Sequence, residues 1–108
     1  MANGERTVHD FDVAYGLASI SITSGLTVVA TTGASYHGIS VIGVATDFVT
    51  VTIYDNASAT SGNLIDLMQI DTNKSVWIDR YIPVVAKDGI VVSMSGTGKG
   101  AIFYGPKG

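Results

Sequence analysis

Residues 48–62, F-V-T-V-T-I-Y-D-N-A-S-A-T-S-G, set the tightest limit on how this chain can fold. Phe48, Thr50, Thr52 and Tyr54 alternate with Val49, Val51 and Ile53. A period of two is the mark of a β-strand whose two faces meet different surroundings. The alternation ends at Asp55-Asn56, and small polar residues follow. Asp and Asn bond nearby backbone and tolerate turn geometry, so the segment predicts a strand running into an exposed loop.

The same grammar repeats along the chain. Residues 1–10 read as a polar, flexible arm, and residues 11–108 as one domain. Strands are expected over residues 11–15, 20–23 and 26–31, with Ser24-Gly25 as a turn between the last two. Residues 36–46 form a longer apolar run in which Gly38 and Gly43 mark bulges or tight packing. That run and residues 48–54 are expected to pair as a hairpin.

Residues 63–71 fit either period, and the all-β context favours a strand. Residues 75–78 and 81–85 make one strand or two, with Pro83 at an edge, a bulge or a strand start. Lys87-Asp88-Gly89 has the chemistry of a tight turn. Residues 90–94 and 101–104 are the last strands, separated by a glycine-rich loop at 96–100.

Eight or nine short strands with regular turn signals predict an all-β, antiparallel β-sandwich of jelly-roll type. A small barrel fits less well because the strands are short and uneven.

Composition narrows the function. Only 14% of residues are charged while 46% are hydrophobic, against about 25% charged in ordinary soluble domains. Either Ser, Thr and Gly supply the polar surface, or some surface is covered by copies of the chain or by a partner. The net charge is −3 and the six Lys and Arg are scattered, so nucleic acid is not an expected partner. No apolar run approaches the ~18 residues that span a membrane. The first residues lack the basic-then-apolar pattern of a secretory signal, so synthesis in a cytoplasm is expected. There is no Cys, which excludes disulfides and thiolate metal sites.

Catalytic patterns fare poorly, and neither an enzyme nor a cofactor is expected. Residues 95–100, S-G-T-G-K-G, lack the Ser or Thr and the following helix of a phosphate loop, and a hairpin loop is the simpler reading. His9 lies beside Asp10 and Asp12 in the arm, but nothing downstream completes a metal site. His37 opens a strand, where a surface or interface role is the default. No G-x-S-x-G elbow occurs, and most Asp residues flank turns. Trp77, Tyr81, Tyr54, Tyr36 and Tyr15 can form a sugar-binding platform. The simpler expectation is that Trp77 is core and the tyrosines rim it or an interface.

Residues 51–65, V-T-I-Y-D-N-A-S-A-T-S-G-N-L-I, carry a resemblance. A strand ending in Y-D-N, a Ser/Ala/Gly loop and another apolar strand are followed by V-V-A-K-D-G-I-V-V at 84–92 and G-K-G-A-I-F-Y at 98–104. The pattern resembles that of small tailed-phage head decoration, or cement, proteins, over roughly residues 36–104. The resemblance implies a small, often trimeric β-sandwich on the outer capsid surface of a virion, bridging neighbouring copies of the major capsid protein. It implies no catalytic residue. The residues expected to make capsid or trimer contacts are Arg6, Val8, His9 and Phe11 near the arm, and Tyr36, His37, Trp77 and Tyr81 in the domain. The aromatic residues leave a second reading open, a fibre or tail-tip domain that binds a receptor or carbohydrate.

Overall fold

The computed structural model describes residues 18–44, 48–71 and 74–106, and of Tyr81 the backbone path. These residues form six strands: β1 (Ala18–Ala30), β2 (Ala34–Gly43), β3 (Val49–Asp55), β4 (Asn63–Ile70), β5 (Ser75–Ala86) and β6 (Ile90–Pro106). All pairings are antiparallel within one curled sheet, and the described residues contain no helix. The strand expected at 11–15 lies outside the described residues, as do Arg6, Val8, His9 and Phe11.

The sheet is organised by its longest strand. β1 lies along one side of β6 for nearly its whole length, from Ala18↔Tyr104 to Ala30↔Ile90. The other side of β6 is divided. Residues 91–95 pair with β3, and residues 98–106 pair with β2. β4 then extends the first half of the sheet beyond β3, and β5 extends the second half beyond β2. The hairpin expected between residues 36–46 and 48–54 is therefore absent. Both segments reach the same side of β6 and do not pair with each other.

The glycine-rich stretch expected as a loop is the middle of β6. Gly96 has φ +86° and Gly25, which pairs with Met94 at the same irregular stretch of the β1–β6 ribbon, has φ +101°. The ladder shifts register between Thr23 and Gly25, and the Ser24 hydroxyl donates to the Gly96 carbonyl oxygen. Two long strands thus bend together instead of ending. This is why the expected strands at 20–23 and 26–31 are one strand, and those at 90–94 and 101–104 another. Glycine weakens strands in general, but it also marks bends and close backbone approaches. Here a Cβ on Gly96 would collide with the Phe48 carbonyl oxygen where β3 begins.

One face of the curled sheet encloses the core. Val49, Val51 and Ile53 of β3 point inward and are fully buried, while Thr50, Thr52 and Tyr54 are half-buried on the other face. That is the alternation read from residues 48–54. They pack with Met68 and Ile70 of β4, Ile90, Val92, Met94 and Ile102 of β6, and Ile39 and Val41 of β2. Full burial of each such side chain contributes roughly 1.5–3 kcal/mol. The bulge at His37 reverses the parity of β2, so Tyr36 and Ile39 both face the core although an odd number of steps separates them.

The β5–β6 turn is held from a distance. The Asp55 carboxylate accepts the Lys87 amide at 2.9 Å and the Asp88 amide at 2.8 Å. Burial alone would push the Asp55 carboxyl up. The amides of Asp88, Lys87 and Gly89, with the Lys87 charge, outweigh that effect and hold it below the ordinary carboxylate value of 3.8. Asn56 shapes its own loop as expected, its Oδ1 accepting the amides of Ser58 and Ala59. Asp55 instead ties β3 to a turn 32 residues away.

Two outcomes follow for thermal and acid unfolding. Gly96→Ala meets both a left-handed φ and the Phe48 backbone, and is expected to cost about 2 kcal/mol or more. Gly25→Ala has open space around the added carbon and is expected to lose only about 1 kcal/mol. Equal melting losses for the pair would contradict the bend as described. Because the folded Asp55 carboxyl titrates below its unfolded value, its stabilisation is complete above the unfolded pKa and disappears as pH falls through the folded one. Asp55→Asn is therefore expected to lower stability at neutral pH by about 1–2 kcal/mol and to flatten the loss of stability below roughly pH 4.

Candidate functional site

The outer face of the β1–β6–β2–β5 half presents the most exposed aromatic side chain among the described residues. Val76 and Ile78 pack towards the core, so the intervening Trp77 points outward and is 76% exposed. Cross-strand register builds the face in rows. Trp77 lies opposite Ser40, which lies opposite Ala101, which lies opposite Ser21. On one flank the row is Ser75, Ile42, Lys99 and Thr23, and on the other Asp79, Gly38, Phe103 and Ser19. The small side chains of the central row leave Trp77 standing above its neighbours.

Two hollows flank Trp77. The larger, an open groove of about 550 Å³, is lined by Trp77, Phe103, His37, Asp79, Arg80 and Ser19, among others. The smaller, about 300 Å³, runs past Ile42, Ser75, Lys99 and Gly100. The arrangement offers aromatic and aliphatic surface with one carboxylate and one ammonium at its margins.

The edge strand owes its shape to a bulge. Between Tyr36↔Val84 and Gly38↔Asp79, β2 advances by one residue, His37, while β5 advances by four, residues 80–83. Pro83 sits in this unpaired stretch, where its missing N–H costs no ladder bond. The bulge sends Arg80 towards β4. Its Nη2 donates to both Asp66 carboxylate oxygens at 2.9 Å, and its Nε donates to Oδ2 at 3.3 Å. The Tyr36 hydroxyl donates to the same Oδ2 at 3.1 Å. Three strands from both halves of the sheet therefore meet on one carboxylate. Burial first, then the charge and hydrogen bond of Asp66, push the Tyr36 hydroxyl far above its ordinary value, so it remains a donor. The hydrogen bond and charge of Asp66 likewise raise Arg80.

His37 and Ser35 stand 3.0 Å apart, Nε2 to Oγ, which is the distance of a base and a nucleophile. Their polarity is wrong for that role. Ser35 is buried, and its single hydroxyl proton is committed to the Pro106 carbonyl at 2.9 Å. The remaining contact requires His37 Nε2 to carry a proton and donate to Ser35. The pair secures the groove wall. Among the described residues, no three His, Asp or Glu side chains gather as a metal site would need.

Two of the residues read from sequence, Trp77 and His37, meet in this groove. The expectation that Trp77 is core is overturned: it occupies an outward position on β5, and the core is filled by the aliphatic side chains of β2, β3 and β6. Tyr36, expected at a contact surface, is fully enclosed because the β2 bulge turns it inward onto Asp66. The Tyr81 backbone lies in the bulge of β5. Asp66 and Arg80 were not singled out by sequence. The one available hint is a carboxylate interrupting the apolar run N-L-I-D-L-M-Q-I, which calls for an internal partner. No protein-family model matches the chain, and neither does any curated protein.

The clamp separates by mutation. Tyr36→Phe removes one donor and leaves the Arg80–Asp66 pair, for an expected loss of about 0.5–1.5 kcal/mol. Asp66→Ala strands a buried hydroxyl as well and is expected to cost about 1–3 kcal/mol. Denaturant titration that ranked the two in the opposite order would contradict a clamp centred on Asp66.

Proposed function

We propose that this chain is a structural virion protein, a head decoration or cement protein that binds the outer capsid surface and bridges capsid subunits. The observation that carries the reading is the exposed outer face around Trp77. It bears Trp77, Phe103, Ile42 and Val85, with Asp79 and Lys99 at its margins and the Asp66-bound Arg80 in the wall of its groove. Elsewhere the described charges sit at connections, as Asp71, Lys74, Lys87 and Asp88 do, or inside hydrogen-bonded clamps, as Asp55, Asp66 and Arg80 do. A face so poor in charge suits contact with other protein surface.

In this reading the two halves of the curled sheet act as the layers of a jelly-roll-like β-sandwich. The major capsid protein and further copies of the chain are its partners, the assembly is a trimer, and no cofactor or reaction is involved. A trimer touching several capsid subunits gains from effective concentration, by about 10²-fold or more over one modest contact. The sequence resemblance over roughly residues 36–104 points the same way.

The groove itself favours one other reading, a fibre or tail-tip module that stacks a sugar on Trp77 beside Asp79 and Arg80. Binding experiments separate the two. Cosedimentation with heads assembled without this protein is expected to saturate at a fixed ratio and to raise the melting temperature of the heads, with no signal on a glycan array. Glycan binding that disappears in Trp77→Ala, with no retention on heads, would replace the cement reading by the second one.

A further inference from the structure

We propose that the Trp77 face is the surface through which copies of this chain assemble, head to tail. This rests on the reading above only for its expectation of an oligomer, and it stands without the capsid.

The charges of the face are self-complementary. Asp79 lies at one end on β5, and Lys99 lies at the other end on β6. They are two strands and four residues apart, roughly 16 Å by strand spacing and rise. That exceeds the screening length of about 8 Å at physiological salt, so neither neutralises the other within one copy. Arg80, beside Asp79, is already engaged by Asp66. When the Trp77–Asp79 end of one copy meets the Ile42–Lys99 end of the next, each charge gains an opposite partner and Trp77 leaves water. Such a contact is heterologous, and it builds a ring where the rotation between successive copies closes.

The area is of the right order. Trp77, Phe103, Ile42 and Val85 are 76%, 37%, 43% and 52% exposed. With about 150–250 Å² for an aromatic side chain and less for an aliphatic one, they supply on the order of 400 Å² per copy. Divided between the two neighbours of a head-to-tail assembly, that is about a quarter of the ~800 Å² per partner in a standard interface, the share of an apolar centre inside a polar rim. The Ser and Thr of the neighbouring rows provide an uncharged rim.

Trp77 is the only tryptophan of the chain, so its fluorescence reports directly on the contact. Light scattering at micromolar concentration is expected to show an oligomer, and dilution to nanomolar is expected to shift Trp77 emission to the red as the side chain returns to water. Trp77→Arg is expected to weaken assembly by about 30-fold or more, the scale of a central interface aromatic. Asp79→Lys is expected to weaken it by about 5-fold, and Asp79→Lys combined with Lys99→Asp to recover most of that loss. Circular dichroism melting checks that each variant folds. If Trp77→Arg does not, the wild-type emission shift and the charge exchange decide.

The proposal is overturned by a wild-type monomer at micromolar concentration, by an oligomer whose dissociation leaves Trp77 emission unchanged, or by a charge exchange that fails to recover assembly. A Trp77→Arg variant that assembles normally but no longer binds heads would assign the face to the capsid, overturning this inference while supporting the function. Normal assembly with loss of glycan binding would assign it to a saccharide and overturn both.

Discussion

Everything in this fold depends on one strand belonging to both halves of the sheet. β6 pairs with β1 along one side and with β3 and then β2 along the other. A straight strand of that length would hold a single flat sheet with both faces in water, and the inward row of Ile90, Val92, Met94 and Ile102 would have nothing to pack against. The bend at Gly96, matched by Gly25 in β1, lets the sheet curl over its own apolar face. The bend must coincide with the place where β2 ends and β3 begins, because neither neighbour could follow it unbroken. The Val44 amide donating to the Thr97 carbonyl marks that junction.

Curling alone does not fix how the two halves of the sheet meet, since apolar contact is non-directional. Direction comes from two carboxylates. Asp66 on β4 collects Tyr36 from β2 and Arg80 from β5, and so sets the lateral position of one half against the other. Asp55 at the end of β3 holds the turn that carries the chain from β5 back to β6. Both are satisfied by several donors at once, which a partly buried carboxylate requires. The scarcity of charge in the composition thus has a structural side: part of the small complement is spent on these two clamps.

The all-β class and most strand positions were legible because alternation is a local property. The ambiguous stretch at 63–71 was settled by the same context and is β4. Residues 96–100 were misread for a physical reason: glycine density signals a turn and a bend alike, and the difference lies in the neighbours, here Phe48 and Ser40, which are distant in sequence. The missing β2–β3 hairpin has the same origin, since pairing partners on β6 lie 50 or more positions along the chain for much of β2. The candidate site was half legible. Trp77 and His37 were singled out, but the side on which each lies depends on strand parity, and a single bulge at His37 reverses it. That reversal buried Tyr36. The long-range roles of Asp55 and Asp66 were not written locally at all.

Trp77 marks the limit of what stability can explain. Its position is outward, its cross-strand neighbour is Ser40, and the next residue in the row is Ala101, so nothing on its own sheet shields the ring. A Thr or Val there would serve the strand as well, by β propensity, without placing a large apolar surface in water. Single exposed apolar residues are ordinary. A tryptophan raised above a row of small residues, with Phe103 and Ile42 on its flanks and unlike charges at opposite ends, is a pattern on one face. The core makes no use of that pattern, and it is this surplus that the proposed contact between copies draws on.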